Sequence, residues 1–334
     1  MSENLKPLLE VNHLSKFYSA KTGVFSKDNR MVKAVNDVSF CVYPGETIGI
    51  VGESGCGKTT LGKAVLHLID DVSGEVSYQG QDILSLKGKK LRQMRREFQI
   101  VYQDPYTSLN PRKKIGFIIA EPLLVQKMAD RKHAMKRAEE LLEIVGLSRS
   151  FAGKYPYECS GGQRQRVGIA RALACEAKMI VCDEAVSALD VSTQSQIINL
   201  LEEVQEKFHL TYLFISHGLS VVRHISDRVM VMYLGQIVEM AEAAELYDNP
   251  LHPYTEALFS ANPIPDPEVH KKRIILEGDV PNPLDIPSGC PFRTRCRYAE
   301  EKCVKERPLL KNISGGHLTA CHLVKEKSAV IQKE

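Results

Sequence analysis

Ile48-Gly49-Ile50-Val51-Gly52-Glu53-Ser54-Gly55-Cys56-Gly57-Lys58-Thr59-Thr60 is the stretch that decides the fold. An apolar strand runs into a glycine-rich turn, and Leu61-Gly62-Lys63-Ala64-Val65-Leu66 continues as a helix. The turn fits G-x-x-x-x-G-K-[ST], the phosphate-binding loop. Glycines let successive backbone N–H groups curl around an anion, and the helix that follows turns its unpaired N–H groups and positive dipole end toward it. Lys58 is the candidate for the β- and γ-phosphates, and the Thr59 hydroxyl for Mg2+. The candidate nucleotide-binding residues are therefore Gly52, Glu53, Ser54, Gly55, Cys56, Gly57, Lys58, Thr59 and Thr60.

Working outward, Leu8 to Leu14 and Val32 to Val42 alternate like strands, with a polar hairpin loop expected from Ser19 to Arg30. Tyr18, on spacing alone, reads as an edge-strand aromatic, the other reading being a ring that stacks on a base. Asp71 to Tyr78 and Gln81 to Leu84 give two more strands, and the basic run Lys87 to Arg96 reads as a solvated helix face. Phe98 to Tyr102 is a β-rich strand that delivers Gln103 to the C-terminal rim of a sheet, where open α/β folds bind ligands. Asp130 to Val145 has helical spacing, with Ala134, Ala138, Leu141, Leu142 and Val145 on one face and Gly146 as its stop.

Cys159 precedes Ser160-Gly161-Gly162-Gln163, which opens another helix and forms a second anion-binding nest. Two phosphate-type sites so far apart are hard to reconcile with one nucleotide on one subunit. Met179-Ile180-Val181-Cys182-Asp183-Glu184 has the character of a buried parallel strand ending in two acids. Asp183 is suited to the Mg2+ shell and Glu184 to polarising an attacking water. Tyr212 to Ser216 is a further apolar strand ending at His217, which can sense a γ-phosphate at the same rim.

Composition narrows the class. The chain has 334 residues, 43% hydrophobic and 25% charged, which suits an ordinary globular protein of one to three domains. A net charge of +3 gives no argument for nucleic acid. No apolar run reaches the length of a membrane span, and Met-Ser-Glu-Asn-Leu-Lys-Pro does not look like a signal peptide. The expectation is a cytosolic chain that reaches a membrane only by docking on proteins that span it.

Lys58 with Thr59, Gln103, Ser160 to Gln163 followed by Arg164-Gln165-Arg166, Asp183-Glu184, Ser187-Ala188-Leu189-Asp190 and His217 occur in the order of an ABC transporter ATPase, which the chain closely resembles over residues 8 to 325. Tyr102 to Arg112, Asn249 to Thr255, and Pro287-Ser288-Gly289-Cys290-Pro291-Phe292 look like the ATP-binding subunits of oligopeptide and dipeptide importers. The resemblance implies an α/β phosphate-loop ABC ATPase cassette: a RecA-like core with an antiparallel β edge and a helical insert, plus a C-terminal loop-rich cysteine extension. Its expected parts are residues 1–97 and 175–240 as core, 98–174 as the helical insert with the signature, and 241–334 as the extension.

It also implies roles. Tyr18 would stack on adenine, Glu184, His217 and Gln103 would serve catalysis, and Thr59, Gln103 and Asp183 would surround Mg2+. Ser160, Gly161, Gly162, Gln163 and Asp190 would meet the ATP held by a partner. Expected partners are a second, homologous ATPase subunit, two transmembrane permease subunits and, indirectly, an extracytoplasmic substrate-binding protein, with no nucleic acid. The expected location is the cytoplasmic face of the cell membrane. The chain departs from the family at Cys159, where a large apolar residue is usual, at Ala185 in place of Pro, and at Gly218 in place of an acid. Rival readings are an ATPase for nickel, glutathione or another solute, a soluble ABC ATPase acting on DNA or ribosomes, and a non-hydrolysing subunit.

The nine cysteines fall into two groups. Five are scattered through the cassette and read as small buried hydrophobes. Cys290-x5-Cys296-x6-Cys303-x17-Cys321 lies in a Pro- and Gly-rich tail with few helix or strand signals. In a reducing compartment this density favours a metal over disulfides, and the lack of C-x-x-C argues against a zinc ribbon. An iron–sulfur cluster, zinc and unmetallated thiols are the three readings. The resemblance points to the first, as a 4Fe-4S cluster.

Overall fold

The computed structural model describes residues 6–21, 29–261 and 273–324. Two sheets organise it. The smaller is an antiparallel four-stranded sheet of β1 (Leu9–Lys21), β2 (Asn29–Val42), β4 (Val72–Tyr78) and β5 (Gln81–Asp82), in the order β2-β1-β4-β5. The larger has eight strands. Its parallel part joins β3 (Thr47–Val51), β6 (Phe98–Val101), β7 (Met179–Asp183), β8 (Thr211–Ile215) and β9 (Arg228–Tyr233) in the order β9-β3-β8-β7-β6. Three antiparallel strands extend it beyond β9: β10 (Gln236–Glu242), then β12 (His317–Thr319), then β11 (Lys311–Ser314).

The central strands β3, β7 and β8 of the large sheet are buried on both faces, and strand alternation divides the sheet's side chains between two cores. Tyr212 and Phe214, Ile180 and Cys182, and Val229 and Val231 join one core. Leu213 and Ile215, Met179 and Val181, and Met230 and Met232 join the other. This is why these strands read as continuous apolar runs in sequence. The first core takes in the apolar faces of α4 (Ile115–Val125), α5 (Arg131–Ile144), α6 (Gly161–Leu173) and α7 (Val191–Phe208). The second is closed by α1 (Lys58–Val65) and the small sheet, through Leu61, Val65, Leu9, Val11 and Val35. Burial of each large aliphatic side chain contributes about 1.5–3 kcal/mol.

The helices follow local rules. Asp130 caps α5 by accepting from the His133 N–H, and Gly146, at φ 72°, follows its end. The basic helix α2 (Gly88–Glu97) has no buried residue, in keeping with a solvated face. The remaining helices are short: α3 (Pro105–Ser108), α8 (Leu219–Ile225), α9 (Ala243–Asp248), α10 (Pro253–Ser260) and α11 (Glu301–Lys305).

Three sequence expectations shift. The strand expected over Gln81 to Leu84 is only two residues long. Ser19 to Lys21 and Asn29 to Arg30, expected in a loop, belong to the β1–β2 ladder, which pairs Tyr18 with Val32 and Lys21 with Asn29. The rest of that expected loop, 22–28, lies outside the described residues. The tail is also more regular than expected, since it supplies α11 and two strands, and β12 pairs with β10 on the large sheet.

Candidate nucleotide site at the rim of the parallel sheet

Each parallel strand delivers one group to the same rim. Gly52 to Gly57 follow β3, Gln103 follows β6, Asp183 and Glu184 close β7, and His217 lies just beyond β8. This is the carboxyl edge where open α/β sheets bind ligands. The turn between β3 and α1 depends on left-handed backbone. Gly57, the N-cap of α1, sits at φ 106°, and Gly55 at φ 77°. A side chain at Gly57 would collide with the carbonyl of Ala34 as well as strain the backbone.

Lys58 is 5% exposed, and its Nζ donates to the carbonyls of Gly52 at 2.8 Å and Glu53 at 3.0 Å. The ammonium is thus already folded back over the loop. The Thr59 hydroxyl donates to Asp183 Oδ1 at 2.7 Å, which brings the two proposed Mg2+ ligands together. Asp183 is buried, and burial raises its pKa; the Thr59 hydrogen bond and the positive charges of Lys63 and Lys58 act against that shift. Thr59, Asp183 and the flanking Gln103 are oxygen donors, the chemistry that suits Mg2+.

Glu184 occupies a left-handed conformation at φ 51°. Its N–H donates to the Ile215 carbonyl at 2.9 Å, and its own carbonyl accepts from the Ser187 N–H at 3.1 Å and from the Ser187 hydroxyl at 2.9 Å. These bonds fix the Glu184 backbone at the rim, and its Oε2 lies 3.5 Å from Nδ1 of His217. Ser54, Gly55, Gly57, Lys58, Thr59, Thr60, Gln103 and Glu184 line one cavity of about 330 Å³. Gly52, Glu53 and Cys56 are not among the residues that line it. Cys56 is buried, and burial pushes its thiol up.

Other candidates stand outside this cavity. The Tyr18 ring is 41% exposed on β1, with Lys16 Nζ 4.8 Å from its centroid. Its cross-strand partner Val32 does line the cavity. Ser160 caps α6 with a reciprocal box: its hydroxyl accepts from the Gln163 N–H at 3.3 Å, and Gln163 Oε1 accepts from the Ser160 N–H at 3.0 Å. Gly161, Gly162 and Gln163 thus present a helix start away from the cavity. Asp190 caps α7, and the Ser192 hydroxyl, with the N–H and hydroxyl of Thr193, holds its carboxyl well below the usual range.

Sequence reasoning missed the rest of the wall. Val32, Lys33 and Ala34 of β2, Leu234 and Gly235 of the β9–β10 turn, and Pro283 of the tail also line the cavity. It also missed Tyr254 and Arg295, which reach the loop from beyond the cassette: the Glu53 N–H donates to Tyr254 Oη at 2.9 Å, and Arg295 forms a double ion pair with the Glu53 carboxylate. No local pattern marks such residues.

The iron–sulfur expectation is not supported. Of the four tail cysteines, Cys290 and Cys303 are buried and Cys296 and Cys321 half-buried. Burial, and then the neighbouring thiols of Cys303, Cys321 and Cys296, push Cys290 up to about 11. Among the described residues, however, no group of three or more His, Cys, Asp or Glu side chains is placed to hold a metal ion. The Cys290 N–H donates to the Cys303 carbonyl at 2.8 Å.

A phosphate loop, a Thr–Asp pair beside it and a glutamate directly after that Asp at the end of β7 define an ATP-hydrolysing cassette. Residues 35–187 match the family model described as ABC transporter, and 238–303 match that of the oligopeptide/dipeptide transporter C-terminal region. The oligopeptide transport ATP-binding protein AppF of Bacillus subtilis is 51% identical over 96% of this chain and 98% of its own length. OppF of Escherichia coli, another oligopeptide transport ATP-binding protein, is 48% identical over 96% and 97%. Among solved structures, the ATP-binding cassette MJ0796, in a dimeric post-hydrolysis state bound to ADP and Pi, superposes with a TM-score of 0.62 at 27% identity, covering 70% of this chain and 98% of that one. The chain belongs to the ABC transporter family, in the branch of the oligopeptide transport ATP-binding proteins.

Proposed function

We propose that this chain is the ATP-hydrolysing subunit that energises oligopeptide and dipeptide uptake through partner membrane permeases. The observation that carries the catalytic part is the Thr59–Asp183 hydrogen bond, with Thr59, Lys58 and Glu184 lining the same cavity. Lys58 and the loop N–H groups take the phosphates, Thr59 and Asp183 with Gln103 take Mg2+, and Mg2+ supplies charge neutralisation of the phosphates. Glu184 orients and polarises the attacking water, and His217 stands beside it to meet the γ-phosphate. Tyr18 stacks on the adenine. The transport part is supported by the oligopeptide names of the relatives and the C-terminal family match.

The location of Ser160 to Gln163 outside the cavity favours a head-to-tail dimer, in which each signature and Asp190 complete the site of the other subunit. The MJ0796 cassette is itself dimeric, which supports pairing. A second, homologous ATPase is the partner we propose, with two permeases below and a substrate-binding protein acting through them. In this reading residues 1–97 and 175–240 form the core, 98–174 the helical insert and 241–334 the extension. Among the described residues no helix is long and apolar enough to cross a membrane, which suits peripheral attachment at the cytoplasmic face.

Co-purification tests the assignment: permeases and a second ATPase should accompany the chain, and a deletion strain should lose peptide uptake. Intact peptide uptake would refute the solute class. The iron–sulfur reading of Cys290, Cys296, Cys303 and Cys321 has the closeness of the thiols in its favour and the absence of a formed metal group against it. Iron and acid-labile sulfide assays on anaerobically purified protein decide it, since a colourless, iron-free protein makes these structural thiols.

A further inference from the structure

Glu53 is an awkward residue for a phosphate site. It is the second residue of the loop, and its carboxylate repels the charge the loop must hold. The tail deals with this at two points. Arg295 donates from Nη1 to Glu53 Oε2 at 2.8 Å and from Nη2 to Oε1 at 3.1 Å, the two-pronged geometry that guanidinium makes best. The Arg295 side chain is 8% exposed and that of Glu53 28%, so solvent screens the pair only in part. The Glu53 N–H meanwhile donates to Tyr254 Oη at 2.9 Å.

Both grips rest on rigid material. Tyr254 is fully buried and packs on Tyr233 and Phe292, with ring centroids 4.7 and 5.4 Å away. Phe292, three residues before Arg295, also packs on Tyr233, the last residue of β9. The Glu53 carbonyl is in turn one of the two that hold Lys58 Nζ. A continuous chain of contacts therefore runs from the tail through Glu53 to the lysine that meets phosphate, between residues 242 positions apart in sequence.

We infer that Arg295 is a positioning residue for the phosphate loop: it neutralises Glu53, holds the loop in its phosphate-ready shape, and so lets the C-terminal extension set the affinity for ATP. The inference rests on the ATP-site reading above. Preformed donors bind without reorganising, so the effect is expected mainly in ATP affinity and KM, with kcat at saturating ATP little changed.

Calorimetric titration of the full chain with ATP tests it, on Arg295→Met, Arg295→Lys, Glu53→Gln, the Glu53→Gln/Arg295→Met double variant and Lys58→Ala, each first checked for folding by circular dichroism. Arg295→Met should weaken ATP binding about tenfold by leaving a carboxylate uncompensated. Arg295→Lys should weaken it by a smaller factor, because the charge stays and the fork is lost. The double variant should bind within about threefold of Glu53→Gln alone, since the uncompensated charge is gone. Folded Arg295→Met or Arg295→Lys with unchanged affinity overturns the inference, as does a double variant whose losses simply add. Where Arg295→Met does not fold, the lysine variant and the double variant carry the test. Lys58→Ala that binds ATP like the parent contradicts the ATP-site reading itself and not merely the role of Arg295.

Discussion

Glu184 shows how the chain prepares one side chain for chemistry. Its left-handed backbone, φ 51°, costs about 1–2 kcal/mol for a residue with a Cβ. The bonds to Ile215 and Ser187 hold it there, and the result is a carboxylate aimed into the cavity that Lys58 and Thr59 line. Substitution Glu184→Gln keeps the shape and removes the proposed base, so steady hydrolysis should fall by at least about 100-fold while ATP still binds. Phosphate release under saturating Mg2+-ATP measures this. Thr59→Val deletes the hydroxyl that pairs with Asp183 but keeps the volume. It should raise the Mg2+ concentration needed for half-maximal hydrolysis several-fold, and chelation of Mg2+ should stop turnover in the parent protein. A magnesium titration of the two proteins makes the comparison.

Elements explain why the site was legible while its supports were not. The phosphate loop, the β7 acids and the β8 histidine each sit at the end of a short apolar strand, so motif and strand pattern pointed to one rim. The capping box at Ser160 and Gln163 is likewise a local signal. β12 gives no such signal: it has three residues and is defined by its pairing with β10, about 80 positions away. The Glu53–Arg295 pair and the Tyr254 hydroxyl are long-range in the same sense. The tail is anchored by a buried acid as well. Glu239 on β10 is fully buried and accepts from the N–H groups of Leu251 and His252 at 2.6 and 3.1 Å. It also pairs with His317 of β12 at 2.8 Å. Glu239→Ala removes the buried acceptor that these three groups share and should lower unfolding stability by about 3 kcal/mol or more. Urea denaturation of the two proteins reads it directly.

At the scale of the whole molecule, the proposed site is half complete. In this reading one chain supplies the loop, the Mg2+ ligands and the base, while its Ser160 to Gln163 helix start lies outside that cavity and serves another chain. Two ATP molecules sandwiched between two cassettes would then couple binding to closure and hydrolysis to reopening, a two-state motion that partner permeases can follow. This account forbids turnover by a chain whose signature is blocked on its partner. The most direct test is hydrolysis by the assembled transporter carrying Glu184→Gln in this subunit, followed together with ATP retention. The account predicts that this subunit's site stops hydrolysing, keeps its ATP and leaves the cassette pair closed. Unchanged turnover at this site, or loss of ATP binding along with turnover in a folded protein, would contradict it.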